Sequence, residues 1–391
     1  WSLLVVSLHG LSGCTSEDLV SGNGTPLTRE DLYSVQVPTD SITLEQLYGA
    51  PTYSLEGEPD LRLAPSGFEP SEGERWAYEA ASFSDGRIAV MTDNMQEIRF
   101  FEADGAPLPG SLRLDDPSEA TFHILPGDTL LLSLNRRTLR ILNGSLIDSI
   151  PTTGKILGVM SDGSWVARSL EYERRERMNG FWIASAQTPI LFLRRPPRAD
   201  TEGPAASSQV LFEGVAETFG PGLSHIALPW HSRTMGAVCG GILWISPRGG
   251  PELFALDSNG HPFRRISWEA RRGVSPGEIQ FWSGFLESRG WEVVPDGSVP
   301  ILRLHETDST RVMDQLVGGS DGSVWVRERG RLGAEPVQQE TTWLGFSPKG
   351  GMVARLLVPA GTVLFEVSLN HVLADLPNDD AALVRFQFHS S

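Results

Sequence analysis

Asp-Gly or Asn-Gly dipeptides recur through this chain, at Asp85-Gly86, Asp104-Gly105, Asp162-Gly163, Asn259-Gly260, Asp296-Gly297 and Asp321-Gly322. In each, glycine supplies the positive φ that a tight hairpin turn needs. The runs between them are short, apolar or alternating, with few long helical periods. That pattern predicts an all-β fold built from hairpins.

The turns also head similar strands. "SDGRIAVMTDNMQEIRFFEADG" (84–105), "SDGSWVARSLE" (161–171) and "SDGSVWVRERG" (320–330) share a turn, a β-branched or aromatic strand and a second polar turn. "GGILWISPRGGPELFALDSNGHPFRRI" (240–266) and "LPGDTLLLSLNRRTLRILNGSLIDSI" (125–150) repeat a longer version. This is a degenerate meander repeat of the kind propellers contain. Setting aside an N-terminal segment of about 50–70 residues leaves roughly 320–340, and four short strands with their turns take about 40–55 residues. Six blades fit that length, with seven as the alternative. Propeller rings close by pairing an N-terminal strand with the last blade, which hides edge strands. "TYSLEGEPDLRLA" (52–64) is the expected closing segment.

The blade form "DGRIAVMTDNMQEIRFFEADG", the later "DGSVWV" and the ending "TTWLGFSPKGGMVARLLVPAGTVLFEVSLNHVLADLPNDDAALVRFQF" resemble six-bladed β-propeller lipoproteins of the NHL and TolB-like groups, as in Gemmatimonadota. Phe346, Gly350, Val358-Pro359, Leu364, Glu366-Val367, Val372-Leu373, Asp379 and the "LVRFQF" strand fall in register with that group's ending. The resemblance covers roughly residues 50–391 and implies fold more than activity. The chain departs from it between about residues 170 and 235, where a blade is hard to see. It departs again at Ser347-Pro348-Lys349, which replaces the group's usual Asp.

The opening "LLVVSLHGLSGCTSED" is too short to span a bilayer, which takes about 20 apolar residues. Small residues at Leu11-Ser12-Gly13 before Cys14 match the end of a signal peptide and resemble the bacterial lipobox. The expectation is a lipoprotein signal truncated at its start over 1–13, a lipidated Cys14, a flexible tether over 14–50 and a propeller over 51–391. The tether is most evident in "TSEDLVSGNGTPLTRE" (15–30), which is polar and aperiodic. One insertion stands out: "SPGEIQFWSGFLESRG" (275–290) has Ser275 as N-cap, Pro276 at the first helical position, Glu278 completing a capping box and Gly290 as a stop. It predicts a short helix with Ile279, Trp282, Phe285 and Leu286 on one face.

A formal net charge of -17 argues against a nucleic-acid partner, whose phosphates are held by Lys and Arg, and against adsorption to anionic lipid. The two cysteines, Cys14 and Cys239, cannot make a disulfide framework, and Cys239 in "MGAVCGGILWI" reads as a buried thiol. His225 and His231 match no common zinc spacing. There is no G-x-S-x-G, P-loop, G-x-G-x-x-G or EF-hand loop, so no cofactor is expected. The acidic pairs Asp115-Asp116 and Asp379-Asp380 read as exposed turns. Trp165 and Trp325 follow Asp-Gly turns within strands and read as packing between blades. "FLRRPPRAD" (192–200) is a local basic loop in an acidic chain, so Arg194, Arg195 and Arg198 are the candidate partner contact.

The expected function is a lipid-anchored binding or scaffolding module of the cell envelope, facing periplasm or exterior, that contacts an envelope protein or small ligand through a propeller face. The alternative is a lactonase- or lyase-like enzyme with a metal at the central channel. That alternative requires three or more carboxylates or imidazoles to meet at the axis.

Overall fold

The computed structural model describes residues 26–55, 57–63, 76–92, 95–114, 121–125, 127–134, 137–151, 155–170, 185–195, 209–219, 233–270, 280, 284, 288, 312–328, 340–376 and 383–388. They form six sheets whose consecutive strands are antiparallel, and the sheets are the blades of a propeller. The inner strands, in chain order, are Glu79–Ser82, Thr121–Leu125, Lys155–Val159, Met235–Cys239, Met313–Gly318 and Val363–Val367. Each blade then steps outward through consecutive hairpins, so the chain needs no long crossover to build a sheet.

The turn chemistry explains the hairpins. Gly86, Gly105, Gly163, Gly260 and Gly322 all adopt φ between +79° and +89°, where a Cβ would be strained. The N–H of Gly86 donates to the Phe83 carbonyl at 3.0 Å, and Gly322 repeats this with Gly319 at 3.0 Å. The preceding aspartate locks the turn from inside: Asp85, Asp162 and Asp321 each accept from the backbone N–H two residues on, at 3.1, 3.0 and 3.0 Å.

What closes the ring is one apolar cluster at every seam. Phe83, Met91 and Phe100 of blade 1 meet Phe122, Leu130 and Leu132 of blade 2. Leu131 meets Ile156 and Trp165 between blades 2 and 3. Phe192 and Phe212 meet Leu243 and Phe254 between blades 3 and 4, and Trp244 and Trp268 meet Val324 and Phe346 between blades 4 and 5. Trp325 and Trp343 meet Val372 and Phe386 between blades 5 and 6, and Leu373 and Leu383 meet Ile88 and Phe101 across the last seam. Middle strands such as Ile88–Thr92 and Ile242–Ser246 bury both faces, which is why they read as apolar runs, whereas the rim strand Pro107–Arg113 is largely exposed. Trp165 and Trp325 are buried as expected, Trp325 completely. Tight seams need small residues: a Cβ on Gly345 would stand 2.8 Å from the Trp325 indole.

The N-terminal segment differs from the expected tether. Residues 27–63 run as a belt along the outer rim, where β1 (Leu27–Thr28) pairs in parallel with the last strand of blade 3. β2 (Thr39–Ile42) then does so on blade 4, and β3 (Thr52–Ser54) on blade 5. Two six-residue helices, α1 (Arg29–Ser34) and α2 (Leu44–Gly49), separate them. The polar letters that suggested a tether are capping groups: Thr28 with Asp31 and Thr43 with Gln46 form complete capping boxes. Leu32, Leu47 and Leu55 enter three successive seams. The closing segment divides accordingly. Thr52–Ser54 belongs to blade 5, whereas β4 (Leu61–Leu63) pairs antiparallel with Leu383–Arg385 and completes blade 6 as its outermost strand.

Of the helix expected over 275–290, Gln280, Gly284 and Ser288 are described; they are helical and exposed, and its apolar face lies outside the described residues. Among the described residues no helix is long and apolar enough to cross a membrane.

Candidate functional site

All six inner strands line one cavity of about 350 Å³ on the propeller axis. Its walls take Glu79, Thr121 to His123 and Lys155 to Leu157 from the starts of the inner strands of blades 1 to 3, and nearly the full length of those of blades 4 and 5. The other ends are pinched shut on the side of blades 3 to 5. A Cβ on Gly241 would lie 2.7 Å from the Ser161 backbone nitrogen, and one on Gly318 would lie 2.6 Å from the Val238 carbonyl oxygen. Met160 and Gly241 form a bridge there. The polar residues of the cavity lie at the strand starts, and this end of it forms a cup.

The cup is polar where a propeller core is otherwise apolar. Glu79 heads the inner strand of blade 1, and burial raises its carboxyl from 4.5 to about 8, against the opposing pull of Lys155. His123 sits in the inner strand of blade 2; burial lowers its pKa from 6.5 to about 4, so it is neutral at pH 7. His123 Nε2 lies 3.0 Å from the Ile156 carbonyl oxygen, so Nε2 carries the proton and Nδ1 is left as an acceptor. Lys155 opens the inner strand of blade 3, and Arg168 is its partner across the hairpin. Arg233 lies just before the inner strand of blade 4, and Asp314 in the inner strand of blade 5, where Arg327 Nε holds its Oδ1 at 2.5 Å. Gln315 follows Asp314 in the wall.

Polar links join neighbouring blades at the strand ends opposite the cup. Ser84 donates through its backbone N–H and hydroxyl to Asp128 at 3.0 and 2.9 Å, joining blades 1 and 2. The Leu369 N–H donates to Asp321 Oδ2 at 2.7 Å, joining blades 6 and 5.

Of the expected contact residues Arg194, Arg195 and Arg198, Arg194 alone has a described side chain. Arg194 ends the third strand of blade 3 and is engaged within that blade. It pairs with Asp162 and donates to Ser164 Oγ at 3.1 Å and Gln209 Oε1 at 3.3 Å. It braces the Asp162-Gly163 turn, at the end of the blade away from the cup. Cys14, Arg198, His225, His231 and both acidic pairs lie outside the described residues, as does the Arg195 side chain. Cys239 is buried, and burial pushes its thiol pKa up. Glu79, His123 and Asp314 are three acid–base groups on one cavity, yet among the described residues no trio of His, Cys, Asp or Glu stands close enough to hold a metal.

Sequence reasoning missed the cup because its polar residues are spread from 79 to 315, one or two per blade. A signal was present. "EAAS", "TFHIL" and "KILGV" each carry a charged or ionisable residue at or near the start of a short apolar strand. In a propeller the inner strand's start is where such a residue reaches the axis.

No protein-family model and no curated protein matches the chain. Among solved structures, it is similar to a DUF4221 family member from Bacteroides vulgatus, with 11% identity, a TM-score of 0.47 and coverage of 84% of this chain and 96% of that one. It is similar also to a provisionally exported protein from Bacteroides fragilis, with 10% identity, a TM-score of 0.45 and coverage of 86% and 88%. A third is virginiamycin B lyase from Staphylococcus aureus, with 9% identity, a TM-score of 0.36 and coverage of 80% and 95%. The likeness is one of fold and assigns no activity.

Proposed function

We propose that this chain is a binding protein of the bacterial cell envelope that captures a small ligand in the cup at the propeller axis, while lipid on Cys14 anchors it to the membrane. The observation that carries the reading is the cavity of about 350 Å³ into which every blade contributes, with its polar groups at the strand starts. Its size suits a small molecule, and its mixture of apolar wall and a few polar groups is the usual make-up of a ligand pocket. Rigid hairpins with short turns hold those groups, so selectivity would reside in the wall and not in induced folding. The lactonase- or lyase-like reading needs ligating side chains that meet, and the described residues supply no such trio. Contact with an envelope protein through the loop carrying Arg195 and Arg198 is a separate reading, for which Arg194 is already engaged with Asp162.

The test is a thermal-shift screen of the full chain against a chemically diverse small-molecule library, repeated on Gln315→Trp, which fills the cavity from blade 5. The reading expects saturable stabilisers whose effect Gln315→Trp abolishes. An absence of stabilisers, or stabilisers indifferent to the substitution, would contradict it.

A further inference from the structure

Three cations gather on the blade 3 and blade 4 side of the cup. Lys155 and Arg168 are direct partners in an antiparallel pair, so their side chains leave the same face of the sheet. Like charges placed so destabilise the pair instead of adding stability. Arg233 lines the same cavity from blade 4, near enough that its charge, after burial, helps lower the pKa of Arg168. Nothing in the fold requires this arrangement; an apolar wall would pack without the repulsion.

Nor do described neighbours neutralise it. The Nε atoms of both Arg168 and Arg233 are buried with no hydrogen-bond partner, and neither residue forms an ion pair with a described residue. A buried donor without a partner loses its hydration with nothing in exchange, and the loss is greater when the group is charged. Of the two carboxylates on the cavity, Asp314 is held by Arg327 at 2.5 Å, and Glu79 is held largely protonated by burial. The cup is therefore cationic at neutral pH within a chain of formal net charge -17. A ligand of opposite charge removes both penalties at once, since guanidinium N–H groups match the paired oxygens of a carboxylate or phosphate.

Building on the pocket reading above, we propose that the cup is an oxyanion-binding site in which Arg168 and Arg233 grip the carboxylate or phosphate of a small molecule, with Lys155 as the third cation. His123 Nδ1, as a neutral acceptor, and Gln315 line the rest of the cavity and suit a ligand that also carries hydroxyl or amide groups.

The test is titration of the purified full chain with inorganic phosphate, acetate and, at matched ionic strength, choline chloride, followed by calorimetry and thermal shift. Wild type, Arg168→Gln, Arg233→Gln and Lys349→Gln are compared; Lys349 is exposed and outside the cup, and its loss changes net charge equally. The proposal expects saturable binding of phosphate or acetate to wild type and to Lys349→Gln, weakened at least tenfold in each arginine variant. Phosphate and acetate separately tell which oxyanion class is preferred. It also expects the unliganded arginine variants to melt no lower than wild type, because each loses a repelled, unpaired charge. Equal responses to all three salts, or arginine variants that bind like wild type, would overturn it. If an uncharged library compound binds wild type, Gln315→Trp abolishes that binding and the arginine variants retain it, the oxyanion inference fails and the pocket reading stands. If nothing binds, both fail.

Discussion

The Ser82 backbone N–H donates to Glu366 Oε2 at 2.9 Å, tying the inner strand of the first blade to that of the last. His371 Nε2 stands 3.2 Å from the other carboxylate oxygen, and the Glu366 side chain is 11% exposed. Burial works to raise this carboxyl's pKa, but the adjacent His371 imidazole and hydrogen bonds from Ser320 and Ser82 outweigh it and hold the group below 4.5. The ring seam is thus fastened by an ionised carboxylate among donors.

Removing that carboxylate should open the seam. Glu366→Ala is expected to lower unfolding free energy by about 3–5 kcal/mol, as breaking a buried charged network does, with Glu366→Gln less severe. Because the folded pKa is depressed, the stabilisation is present above about pH 4.5 and is lost as pH falls through the folded value. Urea melts at pH 7 and pH 4 check both points: the gap between wild type and Glu366→Gln should narrow in acid.

The Glu79 carboxyl predicts the opposite sign. Its folded pKa of about 8 lies above the ordinary 4.5, so its stabilisation is complete below about 4.5 and disappears as pH rises through about 8. Glu79→Gln cannot ionise and should gain on wild type by an order of a few kcal/mol between pH 5 and pH 9. His123, lowered to about 4, titrates below 6.5, so melts between pH 6.5 and 8.5 isolate Glu79. A pH-independent difference between the two proteins would show that Glu79 is ionised and solvated.

The belt predicts that rim residues are structural. Leu32 is fully buried in the seam between blades 3 and 4, and Leu47 is buried between blades 4 and 5. Leu32→Ala and Leu47→Ala should each cost about 2–5 kcal/mol, the range for buried Leu→Ala substitutions. Chemical denaturation measures it; losses below 0.5 kcal/mol would mean the belt is detached in solution.

The anchor is tested by expressing the gene's full product beside Cys14→Ala. The account expects wild type in the membrane fraction with added lipid mass on Cys14, and the variant released without it. Two soluble, unmodified proteins would remove the anchor from the account.

Much of this architecture was readable because propeller strands carry their own punctuation. The Asp-Gly turns encode their positive φ locally, Trp165 and Trp325 follow them by two and three residues, and Leu61–Leu63 alternates apolar and polar next to a Pro-containing loop. The belt was not readable in the same way, since β1 to β3 join blade edges by backbone hydrogen bonds, which no side-chain pattern demands. One clue was there: "TREDLYS" (28–34) and "TLEQLYG" (43–49) share T-x-E-[D/Q]-L-Y, a repeated cap plus the leucine that enters the seam. The cup was hidden for another reason. Lys155 and Arg168 stand 13 positions apart and Arg233 far beyond both, and ring closure alone brings them together.

The most direct measurement is a crystal structure of the full chain grown with its best stabiliser from the screen. The account predicts ligand density on the propeller axis, against His123, Lys155, Arg168, Arg233 and Gln315, with an anionic group facing the two guanidiniums. Density on an outer blade face or in the loop carrying Arg195 and Arg198, with the cup free of ligand, would contradict it.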